Sequence, residues 1–172
     1  MNRLSRILKR GNTPVLVLAI ATGALVALVV AGFEVITDRV LLDRLGERPL
    51  WQIALAPAVG LSAAAVILRV LGRGTASATS DEFVRAFHQR TPRLPLRELP
   101  AKLLAGVATI GLGGALGLEG PSIYAGSATG LAVSERFRQW LRREDIQVLL
   151  TAGAAAGVAA VFKAPATGVL FA

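Results

Sequence analysis

Long apolar runs separated by short charged blocks are the main pattern of the chain. The first run, Pro14 to Ile36, holds a single charge at Glu34, and the second, Leu50 to Leu71, holds only Arg69 near its end. At a helical rise of about 1.5 Å per residue, each run is long enough to cross a hydrocarbon core about 30 Å thick. Both runs are therefore predicted to be membrane-spanning helices.

The next two runs predict a helical hairpin. Leu103 to Leu118 is followed directly by Glu119-Gly120-Pro121, and a second apolar stretch extends from Ser122 to Val133. Proline is well placed as the first residue of a helix, so Pro121 is predicted to begin the second helix of the hairpin. The turn at Glu119 then lies inside the membrane or beyond it.

The final runs are interrupted. Ile146 to Phe162 is followed by Lys163-Ala164-Pro165, and a further run begins at Ala166 and is still apolar at Ala172. Because a finished membrane protein seldom stops within a span, the chain is predicted to be a truncated piece of a longer protein.

The charged blocks predict an orientation, because loops that stay in the cytoplasm carry an excess of Lys and Arg. Residues 1–13 carry four positive charges and no negative one, the block 37–49 is balanced, and the block 69–102 carries seven positive charges against three negative ones. This indicates a basic cytoplasmic segment over residues 1–13 and a multi-pass membrane domain over residues 14–172. A signal peptide is the alternative for the first run, but its length exceeds the usual apolar stretch of about 7–15 residues.

Composition supports a membrane protein and excludes several other classes. The chain is 53% hydrophobic but only 5% aromatic, and the positive residues behind its net charge of +8 flank apolar runs, which argues against nucleic acid binding. The absence of cysteine excludes disulfides and thiolate metal sites. The one histidine, His88, lies in a charged linker, so no metal site and no cofactor are predicted.

Two other patterns concern packing and the inner membrane surface. Glycines recur four residues apart, a spacing that lets membrane helices approach closely: Gly113 and Gly117, Gly126 and Gly130, Gly153 and Gly157. In the segment 74–100, Ser77, Thr79 and Ser80 precede Asp81-Glu82 and an apolar face, which predicts a short capped amphipathic helix, with a solvated linker as the alternative.

Glu119 is the main candidate for chemistry, because an ionisable residue among apolar ones is costly to insert into a membrane and commonly functional. A helix beginning at Pro121 leaves the N–H groups of Gly120, Ser122 and Ile123 free, and these donors with the helix dipole form an anion site. An ionised Glu119 would compete with an anion there, and a protonated one would release the site. Glu34 is close enough to the end of its run to reach the interface.

The segment Gly117-Leu118-Glu119-Gly120-Pro121 resembles the Gly-Arg-Glu-Gly-Pro selectivity-filter motif of the CLC family of chloride channels and proton–chloride antiporters. The stretch from Gly153 to Phe171 resembles the segment that follows it in that family. The resemblance implies voltage- or proton-linked chloride transport, with Glu119 as the gating glutamate. The backbone amides of the filter would bind the anion over these residues: Gly117, Leu118, Gly120, Pro121, Ser122 and Ile123.

The same resemblance implies an all-α polytopic fold with broken or re-entrant helices, of which this chain holds most of the first of two inverted repeats. It also implies a homodimer in the cell membrane whose partners are chloride, protons and lipid. Leu118 replaces the arginine of the motif. The family's Gly-Ser-Gly-Ile-Pro motif is placed at a degenerate segment without its serine: Gly72, Arg73, Gly74, Thr75 and Ala76. The second filter segment and the inner proton glutamate would lie beyond Ala172, so channel and antiporter stay open.

Two other functions compete with transport. An enzyme that binds a dinucleotide is disfavoured, because the glycine pattern from Gly111 has Leu116 at its sixth position and no strand is predicted before it. A structural or scaffolding membrane protein, in which Glu119 only bonds a neighbouring helix, is the alternative to transport.

Overall fold

Helices form almost all of the regular structure. The computed structural model describes residues 13–89 and 91–171, and no strand is present among them. The all-α prediction is therefore confirmed, while the basic segment predicted at residues 1–13 lies, apart from Thr13, outside the described residues. The α-helices are α1 (Thr13–Glu34), α2 (Leu50–Val70), α3 (Ser80–His88), α4 (Leu99–Gly111), α5 (Glu119–Arg136), α6 (Arg143–Phe162) and α7 (Pro165–Phe171).

The first helix is longer than the sequence predicts. After α1 the chain continues as a π-helix, Val35–Leu42, and a last α-helical turn, Asp43–Gly46, so that one helical rod extends from Thr13 to Gly46. The prediction of a loop over residues 37–49 is therefore wrong in extent, because only residues 47–49 lie between the helices. Its charged residues do not end the helix, because no glycine or proline occurs between Gly32 and Gly46.

The membrane spans are confirmed by length and composition. Three helical segments are long and apolar enough to cross a bilayer among the described residues: Thr13–Gly46, Leu50–Val70 and Arg143–Phe162. Large apolar side chains such as Ile20 and Leu28 stand exposed on the outer face of α1, as expected for a lipid-facing surface. The chain is a multi-pass membrane protein, and the shorter α4 and α5 form the predicted hairpin between its spans.

The closest helix packing joins α5 and α6 and depends on glycine. A Cβ atom built on Gly126 would overlap the carbonyl oxygen of Gly153, and one built on Gly153 would overlap the carbonyl of Gly126. Gly130 and Gly157 are covered in the same way by the backbone of the opposite helix. The predicted packing role is therefore confirmed for these four glycines but is wrong for Gly113 and Gly117, which lie in the turn before α5. The contact with α6 fixes the position of α5, the helix that begins at Glu119.

Gly153→Ala is expected to destabilise the protein by about 1–3 kcal/mol, because the added methyl group must push the two helix backbones apart. The matched control is Gly32→Ala, since Gly32 is also helical but a Cβ atom added to it would meet nothing within 4 Å. That change should be neutral or stabilise by up to about 1 kcal/mol through helix propensity. Unfolding in mixed detergent micelles measures both, and equal stabilities of the two variants would contradict the close packing.

Candidate functional site

The helix that follows the hairpin turn begins two residues earlier than predicted. Glu119, not Pro121, is the first residue of α5, and the N–H of Ser122 donates to the carbonyl of Leu118 at 3.2 Å. Ile123 is the fifth residue of the helix, so its N–H falls within the regular helical ladder. The prediction that the amides of Ser122 and Ile123 are free anion donors is therefore wrong.

Three of the four free amides, those of Gly117, Leu118 and Gly120, belong to predicted filter residues, and the fourth belongs to Glu119. Within residues 13–89 and 91–171, no carbonyl accepts a hydrogen bond from the N–H groups of Gly117, Leu118, Glu119 or Gly120. Four consecutive unpaired donors at the start of an 18-residue helix form a site of positive potential. The free donors therefore lie in the turn before α5 and in the first two residues of that helix.

The Glu119 carboxylate folds back over this turn. A Cβ atom built on Gly117 would overlap Oε2 of Glu119, so the carboxylate occupies the space that any larger residue at position 117 would fill. The side chain is half-buried. In the described part of the chain, its oxygens have no hydrogen-bond or ion-pair partner on another helix. The carboxylate therefore lies against Gly117, beside the free amides, without being held by a neighbouring side chain.

A cavity of about 710 Å³ opens in front of Glu119. Of the predicted filter residues, Gly117, Glu119, Gly120 and Pro121 line it, whereas Leu118, Ser122 and Ile123 do not. Its opposite wall is apolar and is formed by residues of α2 and α4. Such a concave site with few polar groups is typical of small-ligand binding in membrane proteins. Apart from Lys102, the α2 and α4 lining is Leu61, Ala64, Ala65, Leu68, Ala105, Gly106, Thr109 and Ile110.

A second helix N-terminus borders the same cavity. The predicted helix after Ser77 is present as α3, and Ser77, Thr79 and Ser80 line the cavity. Thr79 is the N-cap residue, but its hydroxyl makes no capping bond and lies against Gly120 instead, 2.6 Å from where a Cβ of that glycine would be. The hydroxyl groups before α3 and the amides before α5 therefore converge on one space.

Lys102 anchors the segment before α3. Its side chain is 2% exposed, and its ammonium donates to the carbonyls of Ala76 and Ala78 and to Glu82 at 2.9 Å. In a trans peptide the C=O and the next N–H point in opposite directions, so the amides of Ser77 and Thr79 face away from the ammonium. Lys102 also lines the cavity. The sequence analysis treated Lys102 as one of the charges of the linker. Its position as the fourth residue of the apolar helix α4 was the signal that could have predicted its burial.

The degenerate first filter motif does not contribute to the cavity. None of the residues 72–76 lines it. Arg73 and Gly74 have φ values of +53° and +79°, and the N–H of Gly74 donates to the carbonyl of Leu68 at 3.1 Å, which is the geometry of a helix C-terminus. Residues 72–76 therefore lie outside the cavity of Glu119, to which the structure brings Ser77 and Ser80 instead.

Glu34 and Lys163, the other ionisable residues within or beside apolar runs, form an ion pair at 2.7 Å. Lys163 is the left-handed residue that ends α6, with φ +53°. Neither residue lines the cavity of Glu119. The pair joins the end of α1 to the break between α6 and α7, so it connects these helices and lies outside the candidate site.

The arrangement defines a class of protein. The N-termini of α3 and α5 border one cavity inside a multi-pass membrane domain, and a carboxylate lies beside the free amides at the start of α5. This is typical of membrane transporters that bind an anion between discontinuous helices. Across the described residues no group of His, Cys, Asp or Glu could hold a metal ion.

Comparison with known proteins gives the family. The family described as voltage gated chloride channel matches residues 59–172. The chain belongs to this family, the CLC family, as the filter-like segment predicted.

The relatives are exchange transporters. The H(+)/Cl(-) exchange transporter ClcA of Salmonella paratyphi B and that of Salmonella newport are each 32% identical over 181 residues, covering 99% of this chain and 38% of the relative. The crystal structure of a slow cyanobacterial Cl-/H+ antiporter is similar with a TM-score of 0.72 and 26% identity, over 90% of this chain and 38% of that one. The chain therefore spans about two fifths of the length of the relatives that it matches.

Proposed function

We propose that this chain is part of a protein that transports chloride across the cell membrane in exchange for protons, with Glu119 as the gate of the anion pathway. The observation that carries the proposal is the position of the Glu119 carboxylate, which lies against Gly117, beside the free amides of residues 117–120, on the cavity that α3 also borders. The exchange activity named for the matched relatives supports the same substrates.

The proposed mechanism is competition between two anions for one set of donors. An ionised Glu119 occupies the N-terminal dipole of α5, as a carboxylate does at many helix starts. Protonation removes its charge, so a chloride ion that has lost its water shell takes over the free amides and the hydroxyl groups before α3. Each exchange of carboxylate for chloride is thereby linked to the binding or release of a proton at Oε1 or Oε2.

Lys102 supplies the positive potential that the missing motif arginine would have given. Leu118 carries no charge, but the buried ammonium of Lys102 lies on the cavity wall below the hydroxyl-lined segment. Glu82 neutralises it in part. We propose that Lys102 both shapes the segment 76–80 and favours an anion in the cavity.

The remaining features of the proposal concern the whole protein. We propose that the N-terminus lies in the cytoplasm, because the block 1–13 and the block 69–102 carry the excess of positive charge. The family resemblance supports a homodimer and leaves a voltage-dependent channel as the second form that transport could take. No resident cofactor is proposed, since chloride and protons are the cargo.

A flux assay separates transport from scaffolding. The full-length protein is reconstituted in liposomes loaded with chloride, and chloride efflux and proton uptake are recorded together. We expect both fluxes, coupled so that an imposed chloride gradient drives protons against their own gradient. A channel would pass chloride without coupled proton movement, and a scaffolding protein would show neither flux above that of protein-free liposomes.

A further inference from the structure

A second cavity lies at the opposite end of α5 from Glu119. Its volume is about 380 Å³, and it is bordered by the last turn of α5, the link to α6 and the first turn of α6. Among the described residues, its charged lining is Arg138, Arg143 and Glu135. The cavity of Glu119 shares none of these residues, so this is a separate site.

The two arginines are available to a ligand. Both side chains are exposed, and in the described part of the chain neither guanidinium forms an ion pair with a carboxylate. Asp145, which is close in sequence, instead accepts a hydrogen bond from the backbone N–H of Arg142 at 2.7 Å and so caps α6. Two unpaired guanidinium groups at one cavity favour a phosphate group, because each presents donors in a planar fork.

The cavity lies at the membrane–water boundary. Arg143 is the first residue of the span Arg143–Phe162, so the arginines lie where the hydrocarbon ends. Trp140 next to them is 64% exposed and its ring stacks on Phe137 with centroids 5.6 Å apart. An exposed tryptophan at the end of a span is typical of the headgroup level.

The floor of the cavity is apolar. Leu131, Leu141 and Ile146 line it, and Leu131 is 3% exposed. An inorganic ion would leave these apolar side chains uncovered, whereas a lipid with an acyl chain beside its phosphate would cover them.

We propose that this cavity binds the headgroup of a membrane phospholipid through its phosphodiester, with Arg138 and Arg143 holding the phosphate oxygens. The apolar floor takes the start of an acyl chain. Basic cavities between membrane helices on the side that carries excess positive charge are known to hold lipid headgroups. The lipid would join the end of α5 to the start of α6, the two helices whose packing positions Glu119.

Native mass spectrometry of the full-length protein tests the proposal, with dioctanoyl phosphatidylglycerol as the probe. We expect a retained lipid adduct in the wild type and about tenfold weaker binding in the double variant Arg138→Gln/Arg143→Gln. The matched control is Arg69→Gln/Arg85→Gln, which removes two exposed arginines outside the cavity and should bind as the wild type does. Arg138→Lys/Arg143→Lys keeps the charge and should retain most of the binding.

Two further probes distinguish the source of the phosphate. Dioctanoylglycerol, which lacks the phosphate, should not form the adduct, and inorganic phosphate at the same concentration should not displace the lipid. Equal lipid binding by the wild type and the glutamine double variant, with unchanged melting temperatures, would overturn the proposal. Full displacement by inorganic phosphate would also overturn it, because the site would then be one for a free anion.

Discussion

Lys102→Met is expected to lower the free energy of unfolding by about 3–5 kcal/mol, because it leaves a largely buried carboxylate and two carbonyls without their partner. The ammonium contacts Glu82, Ala76 and Ala78, and it also lies 4.4 Å from the centre of the Tyr124 ring. Methionine has a similar shape but no donor. The measurement is reversible unfolding in mixed micelles of the full-length protein and its variant.

A second lysine provides a matched control for burial. Lys163 pairs with Glu34 at 2.7 Å, close to the 2.9 Å of the Lys102–Glu82 pair, but the Lys163 side chain is 73% exposed. Lys163→Met is therefore expected to cost only about 0–1 kcal/mol, as exposed pairs do. Similar losses in the free energy of unfolding for Lys102→Met and Lys163→Met would contradict the view that burial of the lysine decides the size of the loss.

Removing both charges of the buried pair should restore part of the stability. In Lys102→Met/Glu82→Leu no uncompensated carboxylate remains, so we expect the double variant to be more stable than Lys102→Met alone. The carbonyls of Ala76 and Ala78 still lack a donor in it. Recovery is therefore expected to be incomplete, and the remaining loss measures how much the ammonium contributes by holding the segment before α3.

The sequence predicted the fold well where hydropathy alone decides it. The runs from Pro14, Leu50 and Ile146 are spans in the structure, and the break after Phe162 occurs at Lys163 as expected. The extension of α1 as a π-helix was not predicted, because the charged residues of 37–46 look like a loop by composition although none of them breaks a helix. Charged residues can mark the end of a membrane-spanning segment without ending the helix itself.

The candidate site was predicted in part. Glu119 and its glycines were found because a carboxylate among apolar residues is conspicuous, and the structure does place it at a helix start. The hydroxyls of Ser77, Thr79 and Ser80 were assigned to capping, whereas they line the cavity. Their approach to Gly120 depends on how α3 packs against α5, a tertiary contact about 40 residues away along the chain that no local pattern reports.

Glu119→Gln is expected to reduce coupled proton uptake by about tenfold or more, a loss equivalent to at least about 1.4 kcal/mol, while chloride still passes. Glutamine has the shape of the protonated carboxyl group but cannot release a proton or carry a negative charge. The anion pathway should therefore stay in the state that protonation produces, and the chloride flux should lose its dependence on pH. Parallel chloride and proton recordings from liposomes over a range of pH provide the measurement.

The control for charge is Glu47→Gln, which removes a carboxylate from the exposed link 47–49, outside the cavity. It should leave both fluxes and their pH dependence unchanged. If Glu119→Gln behaves like this control, Glu119 is not the gate. Loss of chloride flux as well as proton uptake in a correctly folded Glu119→Gln protein would instead indicate that the carboxylate is required for the anion to pass.

Gly117→Ala tests the position of the carboxylate without removing its charge. The new methyl group takes the space of Oε2, so the Glu119 carboxylate has to move away from Gly117 and the amides beside it, although it stays ionisable. Because a displaced carboxylate competes less well with chloride, we expect chloride flux to become less sensitive to pH while some coupled proton uptake remains. Gly46→Ala, where the added methyl group meets nothing within 4 Å, should change neither flux. An intermediate result for Gly117→Ala, between the wild type and Glu119→Gln, would show that gating depends on where the carboxylate lies and not only on its charge.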